Sequence, residues 1–488
     1  MKIMQVNWGW PPRQSGGPIG YAADLCKELT KRGHQVSMFY GGDHNFKRRP
    51  CLEVREEDGV VLGNLINSPN RYSNAGYPLR ECKQPEVERF YLDFLKRMNP
   101  ELVHVHSLIG LSGSIIELTK MMGIPIVVSL HNYWFICPRG DFLIPPDYRL
   151  CSGPDRGLNC AVCLPRKNKL SRNMACVNDT IRSLLKRNVR LKRTLQRYLM
   201  WLNRRRRYLP SGNSDKPFPS MSSVIPEPME VFGYQFREEY LRRLLSEDAD
   251  HIIAVSGAVK RIFARHGVSE EKMRVLHSGI KTAEELQRIA ASTKQKVRNP
   301  IIFGFFGPVQ PYKGVHVLVD AFNRLPEGSA RLLVFGTGSS DYVSRLIRKA
   351  KPGVEFRGAF DDLATILTEF DVAVVPPIWE DNAPLVVLES QAAGKPIIGA
   401  DIGGIPDFVQ DNVNGLLFKA GDAEDLAKKM RELAASSPLV EYLRQNVTPP
   451  KSMREHAADM ERVYARLLRR PRGMVVTEAA EARHVVGI

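Results

Sequence analysis

The sequence predicts two α/β domains, each a doubly wound parallel sheet, facing one another across a cleft. Three observations carry this. Short apolar runs alternate with helix-period patterns in two blocks, residues 1–280 and 301–450. Several of those runs end in polar or glycine-bearing tips, at the edge where open α/β sheets place their ligands. And 488 residues are more than one hydrophobic core holds.

Composition narrows the class. At 43% hydrophobic and 25% charged, the chain reads as ordinary globular protein. No run approaches the ~18 apolar residues that a membrane span needs. Lys2–Asn7 already reads as a strand rather than a leader, so the expected location is cytoplasmic. Eight cysteines in so long a chain argue against a disulfide framework and for metal, redox or plain burial. The net charge of +17 is local: residues 181–210 hold eleven Lys or Arg and no acid.

In the first block, Lys2–Asn7 runs into a loop carrying Pro11, Pro12, Gly16, Gly17 and Gly20. A helix with Ala22, Leu25, Cys26 and Leu29 on its apolar face follows, stopping at Gly33, and then a strand, Gln35–Tyr40. Gly16 and Gly17 would let the backbone approach a phosphate at the helix start. No GxGxxG is present, so a dinucleotide fingerprint is not expected. Leu102–Ser107 and Ile124–Asn132 read as buried strands with His106 and His131 at their tips. Each histidine is either structural or a hydrogen-bond partner at the site.

Cys137, Cys151, Cys160 and Cys163 follow, spaced C-x13-C-x8-C-x2-C. They read as a structural zinc knot or as four unconnected thiols, with Cys176 as an alternative ligand. Residues 165–245 read as an insertion, within a Cys-rich and basic region beginning about residue 137. Ile181, Leu184, Leu191, Leu195, Tyr198 and Leu202 form an apolar stripe flanked by basic residues, and Arg204–Arg207 is an unbroken block. This predicts peripheral contact of 181–207 with an anionic membrane surface, or a core-facing stripe with a solvated basic back. No stacking aromatics interleave the charge, so nucleic acid is not an expected partner. Residues 211–228 read as a proline-rich loop, and strand–helix–strand resumes over Asp250–Ile280.

Residues 281–300 read as a polar, helix-prone linker. The second block opens on the apolar strand Ile301–Gly307, and Lys313-Gly314 precedes its helix. Lys313 is either a cation for a diphosphate or a solvated surface lysine. A strand over residues 371–375 leads to the stretch that organises this half, WEDNAPLVVLESQAAG. There a loop carries Asp381 and Asn382, and Pro384 opens a helix. The amides of Leu385, Val386 and Val387 in its first turn favour an anion. Glu389 lies eight positions after Asp381, on nearly the same face. Acid, free amides and a second acid in that order suit a phosphorylated, hydroxyl-rich ligand. Strands over 331–336, 354–358, 396–399 and 415–418 complete the sheet. Met453–Leu468 reads as a last helix, and 471–488 as a disordered tail.

These residues resemble the retaining GT-B glycosyltransferases of family 4. WEDNAPLVVLESQAAG is similar to the family's acid-x7-acid motif, and HNYWFICPRG to its HDYWxxCPRG segment. Further likenesses are the GG loop before a helix ending KRGH, ADHIIAVSGAVK with the closing SGI, PVQPYKG, and GGIPDFVQDNVNGLLF. The resemblance implies a GT-B fold whose last helix, about 451–470, crosses back to the first domain. It implies that Asp381, with Asn382 beside it, holds the donor sugar's hydroxyls, Glu389 the nucleotide ribose, and His131 the sugar near the bond that breaks. Lys313, with the amides of Leu385 and Val386, would stabilise the departing diphosphate.

The implied reaction is hexosyl transfer from a UDP- or GDP-linked sugar to a saccharide or lipid-linked saccharide, as in cell-surface polysaccharide synthesis. It requires no cofactor. Three positions depart from the family pattern: Asp381, next to Glu380, where Glu is usual; Pro308 where Arg is usual; and Ser278-Gly279-Ile280-Lys281 for Asn-Gly-Ile-Asp. They leave open an impaired sugar-nucleotide or glycan-binding protein. A nucleotide-sugar epimerase is a further alternative on the same fold.

Overall fold

The computed structural model describes residues 1–14, 16–45, 49–70, 77–144, 148–164, 226–292 and 296–469. The apolar stripe from Ile181, the Arg204–Arg207 block, Cys176 and the tail lie outside the described residues. No helix among the described residues is long and apolar enough to cross a membrane.

Two sheets organise the chain. The first holds β1 (Lys2–Asn7), β2 (Gln35–Tyr40), β3 (Cys51–Glu57), β4 (Val60–Ile66), β5 (Leu102–Val105) and β6 (Ile126–Leu130). A separate two-stranded ribbon, β7 (Leu143–Ile144) and β8 (Arg149–Leu150), precedes its last members, β9 (His251–Ala254) and β10 (Met273–Val275). The order is β10-β9-β6-β5-β1-β2-β4-β3, parallel except for the β3–β4 pair. The second sheet is all parallel: β11 (Ile301–Phe306), β12 (Ala330–Phe335), β13 (Val354–Gly358), β14 (Val372–Val375), β15 (Ile397–Ala400) and β16 (Gly415–Phe418), ordered β13-β12-β11-β14-β15-β16. Strands buried on both faces read as unbroken apolar runs, as β11 does over IIFGFF.

The order of strands fixes where ligands bind. From β1 the chain winds one way to β2 and β4, and later the other way through β5, β6 and β9. From β11 it winds to β12 and β13, and then back through β14, β15 and β16. Each sheet thus has a switch point at the carboxyl ends of its two central strands, where the loops part and leave a crevice. The loops after β1 and β5 carry Gly16, Gly17 and His106, and those after β11 and β14 carry Lys313 and Asp381.

Two segments differ from expectation. The hairpin β3–β4 turns at Asp58-Gly59, both with positive φ (52° and 74°), as a two-residue hairpin loop requires. Residues 228–243, read from sequence as the end of an insertion with no element assigned, form a helix, Pro228–Arg243, that buries Tyr234, Arg237, Tyr240 and Leu241 against the first domain. Its exposed Met229, Phe232 and Phe236 hide that face from a simple periodicity count. The returning helix Met453–Leu468 is as expected. It opens on a Ser452–Glu455 capping box and buries Met453, Ala457, Met460 and Tyr464 with the helix Gly17–Lys31.

Candidate active-site cleft

The two switch points line one cavity of about 610 Å³ between the domains. The first domain contributes Gly17, His131 and Arg139, and the second Pro308, Lys313, Asp381, Asn382, Leu385 and Val386. Most of the predicted site is therefore gathered in one place. Across it, a Cβ on Gly17 would stand 3.7 Å from Leu385 Cδ1, so the two glycine-loop and helix-start elements nearly touch.

Lys313 and Asp381 meet directly, Nζ to Oδ2 at 2.6 Å. Lys313 sits in the turn after β11 because Gly314 follows with φ 71° and packs its α-carbon against the Pro376 carbonyl, leaving no room for a side chain. The ammonium also lies 5.3 Å from the Trp379 ring centroid, within cation–π range. Asp381 is held from behind, where its carbonyl accepts from the Gly404 amide at 2.7 Å. A Cβ on Gly403 would strike the Asp381 backbone, so the double glycine is what allows this approach. Glu380 instead accepts from the Gly403 amide at 3.1 Å. Of the two neighbouring acids, it is thus Asp381 that faces the lysine.

Helix Leu385–Ala392 starts at the cavity wall. Its free amides number two rather than three, since Val387 N–H donates to the Pro384 carbonyl at 3.0 Å. Leu385 and Val386 have no backbone acceptor among the described residues. Asn382 Nδ2 and Trp379 Nε1 are buried donors with no hydrogen-bond partner there. A pair of free amides and two unused side-chain donors beside a cation form a surface for acceptor oxygens.

Glu389, two turns on, is half-buried and does not line the cavity. Burial alone pushes its carboxyl up to about 7. In the folded chain this group holds its proton more tightly than when unfolded. Its contribution to stability is therefore full below the ordinary carboxylate range and is lost as pH rises through about 7. Melting temperatures of wild type and Glu389→Gln are expected to coincide near pH 4.5 and to separate by pH 8, with the variant higher. Parallel curves over that range would mean that the carboxylate is not desolvated.

His131 lines the cleft, and its Nε2 stands 3.2 Å from His106 Nδ1. Burial, reinforced by His456, pushes it down to about 3, so the ring is neutral and no general acid at ordinary pH. His106, which reads from sequence as structural or functional, is a fully buried link behind it. Arg139, from the same CPRG segment, is the one residue the sequence did not single out that changes the chemistry. Apart from Lys313, it is the only Lys or Arg among the described residues lining the cavity. Its place two residues before Asp141 and after a Cys-Pro pair gave no sequence cue to that position.

The four cysteines are free. The thiols of Cys160 and Cys163 are each pushed up by burial and, secondarily, by the other three or by Cys137 and Cys151 respectively, which places them in one neighbourhood. Among the described residues, however, no three His, Cys, Asp or Glu are arranged to hold a metal ion. Cys160 packs with Ala161 and Tyr234, while Cys137 and Cys151 pack with the main core.

The sequence matches "Glycosyltransferase Family 4" over residues 15–194 and 225–284, and "Glycosyl transferases group 1" over 300–436. The chain belongs to the GT-B glycosyltransferases. It is 22% identical over 245 residues to an uncharacterised glycosyltransferase of Methanocaldococcus jannaschii, covering 47% of this chain and 62% of that protein. It is 26% identical to an uncharacterised 41.2 kDa protein in the cps region of Klebsiella pneumoniae, over 39% of this chain and 54% of that one. The chain spans about half the length of the curated relatives it matches. Among solved structures, Anabaena HepE in complex with UDP has a TM-score of 0.59 at 14% identity, covering 96% of this chain and 100% of that one, a likeness of fold. The gap within the Glycosyltransferase Family 4 match, 195–224, contains the Arg204–Arg207 block.

Proposed function

We propose that this GT-B glycosyltransferase moves a sugar, with retention at the anomeric carbon, from a UDP- or GDP-linked donor to a saccharide or lipid-linked saccharide in cell-surface polysaccharide synthesis. The Lys313–Asp381 pair in the interdomain cleft carries the reading. Lys313 and the Leu385 and Val386 amides meet the diphosphate as it departs, and the charge that develops there is stabilised by groups already in place. Asp381 and Asn382 hold sugar hydroxyls, His131 approaches the sugar from the opposite wall, and Glu389, beyond the cavity lining, meets the ribose where the donor extends past Leu385 and Val386. Pro308 removes the second cation of the family pattern, and Arg139 supplies it from the facing domain. This reaction needs no metal at the site. A cps-region relative and the basic stretch 181–207 support a surface-polysaccharide acceptor at an anionic membrane.

The test is a thermal-shift panel of UDP-, GDP- and ADP-sugars on the full chain, wild type beside Lys313→Ala. A ligand that binds the native state raises its melting temperature. One nucleotide class is expected to stabilise the wild type, with the shift reduced in the variant. No shift with any donor would overturn the reading in favour of a glycan-binding protein without a working donor site.

A further inference from the structure

Behind His131 runs an unbroken line of buried polar groups that passes through the returning helix. His131 Nε2 meets His106 Nδ1 at 3.2 Å, and His106 Nε2 meets Gln5 Oε1 at 2.6 Å. Gln5 Nε2 donates to Tyr464 OH at 3.4 Å. Tyr464 OH meets His104 Nδ1 at 2.7 Å, and His104 Nε2 meets Ser129 Oγ at 2.8 Å. Gln5, His104 and Tyr464 are wholly buried, and His106 is 2% exposed. They come from β1, β5, β6 and the helix Met453–Leu468, which follows the second domain in the chain.

Hydrogen bonding gives this line a direction. Gln5 Oε1 can only accept, so His106 Nε2 carries a proton. Burial holds His106 and His131 uncharged, and a neutral imidazole has one N–H. His106 Nδ1 must then accept, and His131 Nε2 must donate to it. At the other end, Tyr464 accepts from Gln5 and spends its single proton on His104 Nδ1, leaving His104 Nε2–H for Ser129. Each group has one role and the roles agree along the line.

We infer that Gln5 and Tyr464 are positioning residues that hold His131 as its Nε2–H tautomer, presenting an unprotonated Nδ1 to a hydroxyl in the cleft. His131 Nδ1 has no hydrogen-bond partner among the described residues, and the ring lines the cavity. Turning the Gln5 amide over would reverse every bond and place the proton on Nδ1, converting the acceptor into a donor. A hydroxyl serves either direction, so Tyr464 favours this one through its bond lengths: the short 2.7 Å contact suits a phenol O–H donating to His104 Nδ1, and 3.4 Å is too long for that O–H to donate to Gln5 instead. It does so from outside the first domain, on a helix also anchored by the hydrogen bond of Tyr21 OH to His456 Nε2 at 2.6 Å. The proposal rests on the glycosyltransferase reading only for what the acceptor nitrogen meets, not for its tautomer.

The experiment is a long-range proton–nitrogen correlation spectrum of the full chain labelled with ¹⁵N-histidine, His131 being assigned by its loss in His131→Ala. Wild type is expected to show Nε2 protonated and Nδ1 bare. Tyr464→Phe keeps the packed ring but removes the hydroxyl, and is expected to convert His131 to a mixture of tautomers. Turnover should fall between about two- and tenfold while donor affinity holds. Gln5→Glu, which can only accept, is expected to retain the wild-type tautomer. An Nδ1–H His131 in the wild type overturns the inference. So does a Tyr464→Phe chain whose tautomer is unchanged, since any lost turnover would then reflect support of the fold. The spectra need no donor: expected tautomers without transfer to any acceptor uphold the positioning role and count against the proposed function instead.

Discussion

Lys313→Ala is expected to lower turnover about 10²- to 10³-fold, the loss that follows removal of one fixed stabiliser of developing negative charge. Two features of the cleft raise the expectation above that for a surface lysine. The ammonium is three-quarters covered, 24% of its side chain being exposed, and lies against Trp379 and Asp381. It is also, with Arg139, the cavity's only supply of fixed positive charge among the described residues. The comparison that decides the mechanism is Arg139→Ala. Acting on the same diphosphate, the two cations should give a double variant whose loss is smaller than the product of the single losses. Steady-state transfer from the donor identified by thermal shift measures this. A Lys313→Ala chain within about threefold of wild type would mean that the leaving group is stabilised elsewhere.

How far the site was legible follows from where its signals sit along the chain. Lys313, Asp381, Asn382 and the Leu385 helix start are local: each depends on a strand end, a glycine or a proline within a few residues, and periodicity locates those. The parallel sheets were legible for the same reason, because strands such as β11 and β14 are buried on both faces and read as continuous apolar runs. Arg139 and the line from His131 to Tyr464 are not local. Gln5 and Tyr464 are 459 residues apart, and no spacing rule joins them. Tyr464 reads in the sequence as one more apolar-face residue of an amphipathic helix. The hairpin is a different case: Asp58-Gly59 is a readable turn signal, but the run before it is mixed in polarity and does not stand out as a strand. The half-buried face of β3 explains that mixture.

Arg237→Ala is expected to destabilise the fold by about 3–5 kcal/mol, the range for removing one partner of a buried ion pair. Arg237 is 1% exposed. Its Nε donates to Glu81 Oε2 at 2.6 Å and its Nη2 to the Trp134 carbonyl at 2.6 Å, with the guanidinium 4.7 Å from the Trp134 ring centroid. One side chain therefore joins helix Pro228–Arg243, the short helix Pro78–Cys82 and the HNYWFICPRG segment that carries His131 and Arg139. Without it, Glu81 is left in an environment where burial already pushes its carboxyl up, and the Trp134 carbonyl loses its charged donor. Chemical denaturation of wild type, Arg237→Ala and Arg237→Met/Glu81→Leu separates the causes. The double variant removes both charges and keeps most of the volume, so it should recover much of the lost stability. If it is no more stable than the single variant, packing and the Trp134 contacts rather than the stranded carboxylate account for the loss. In either case the damage is expected to reach the cleft, because the segment that Arg237 braces is the wall on which His131 and Arg139 stand.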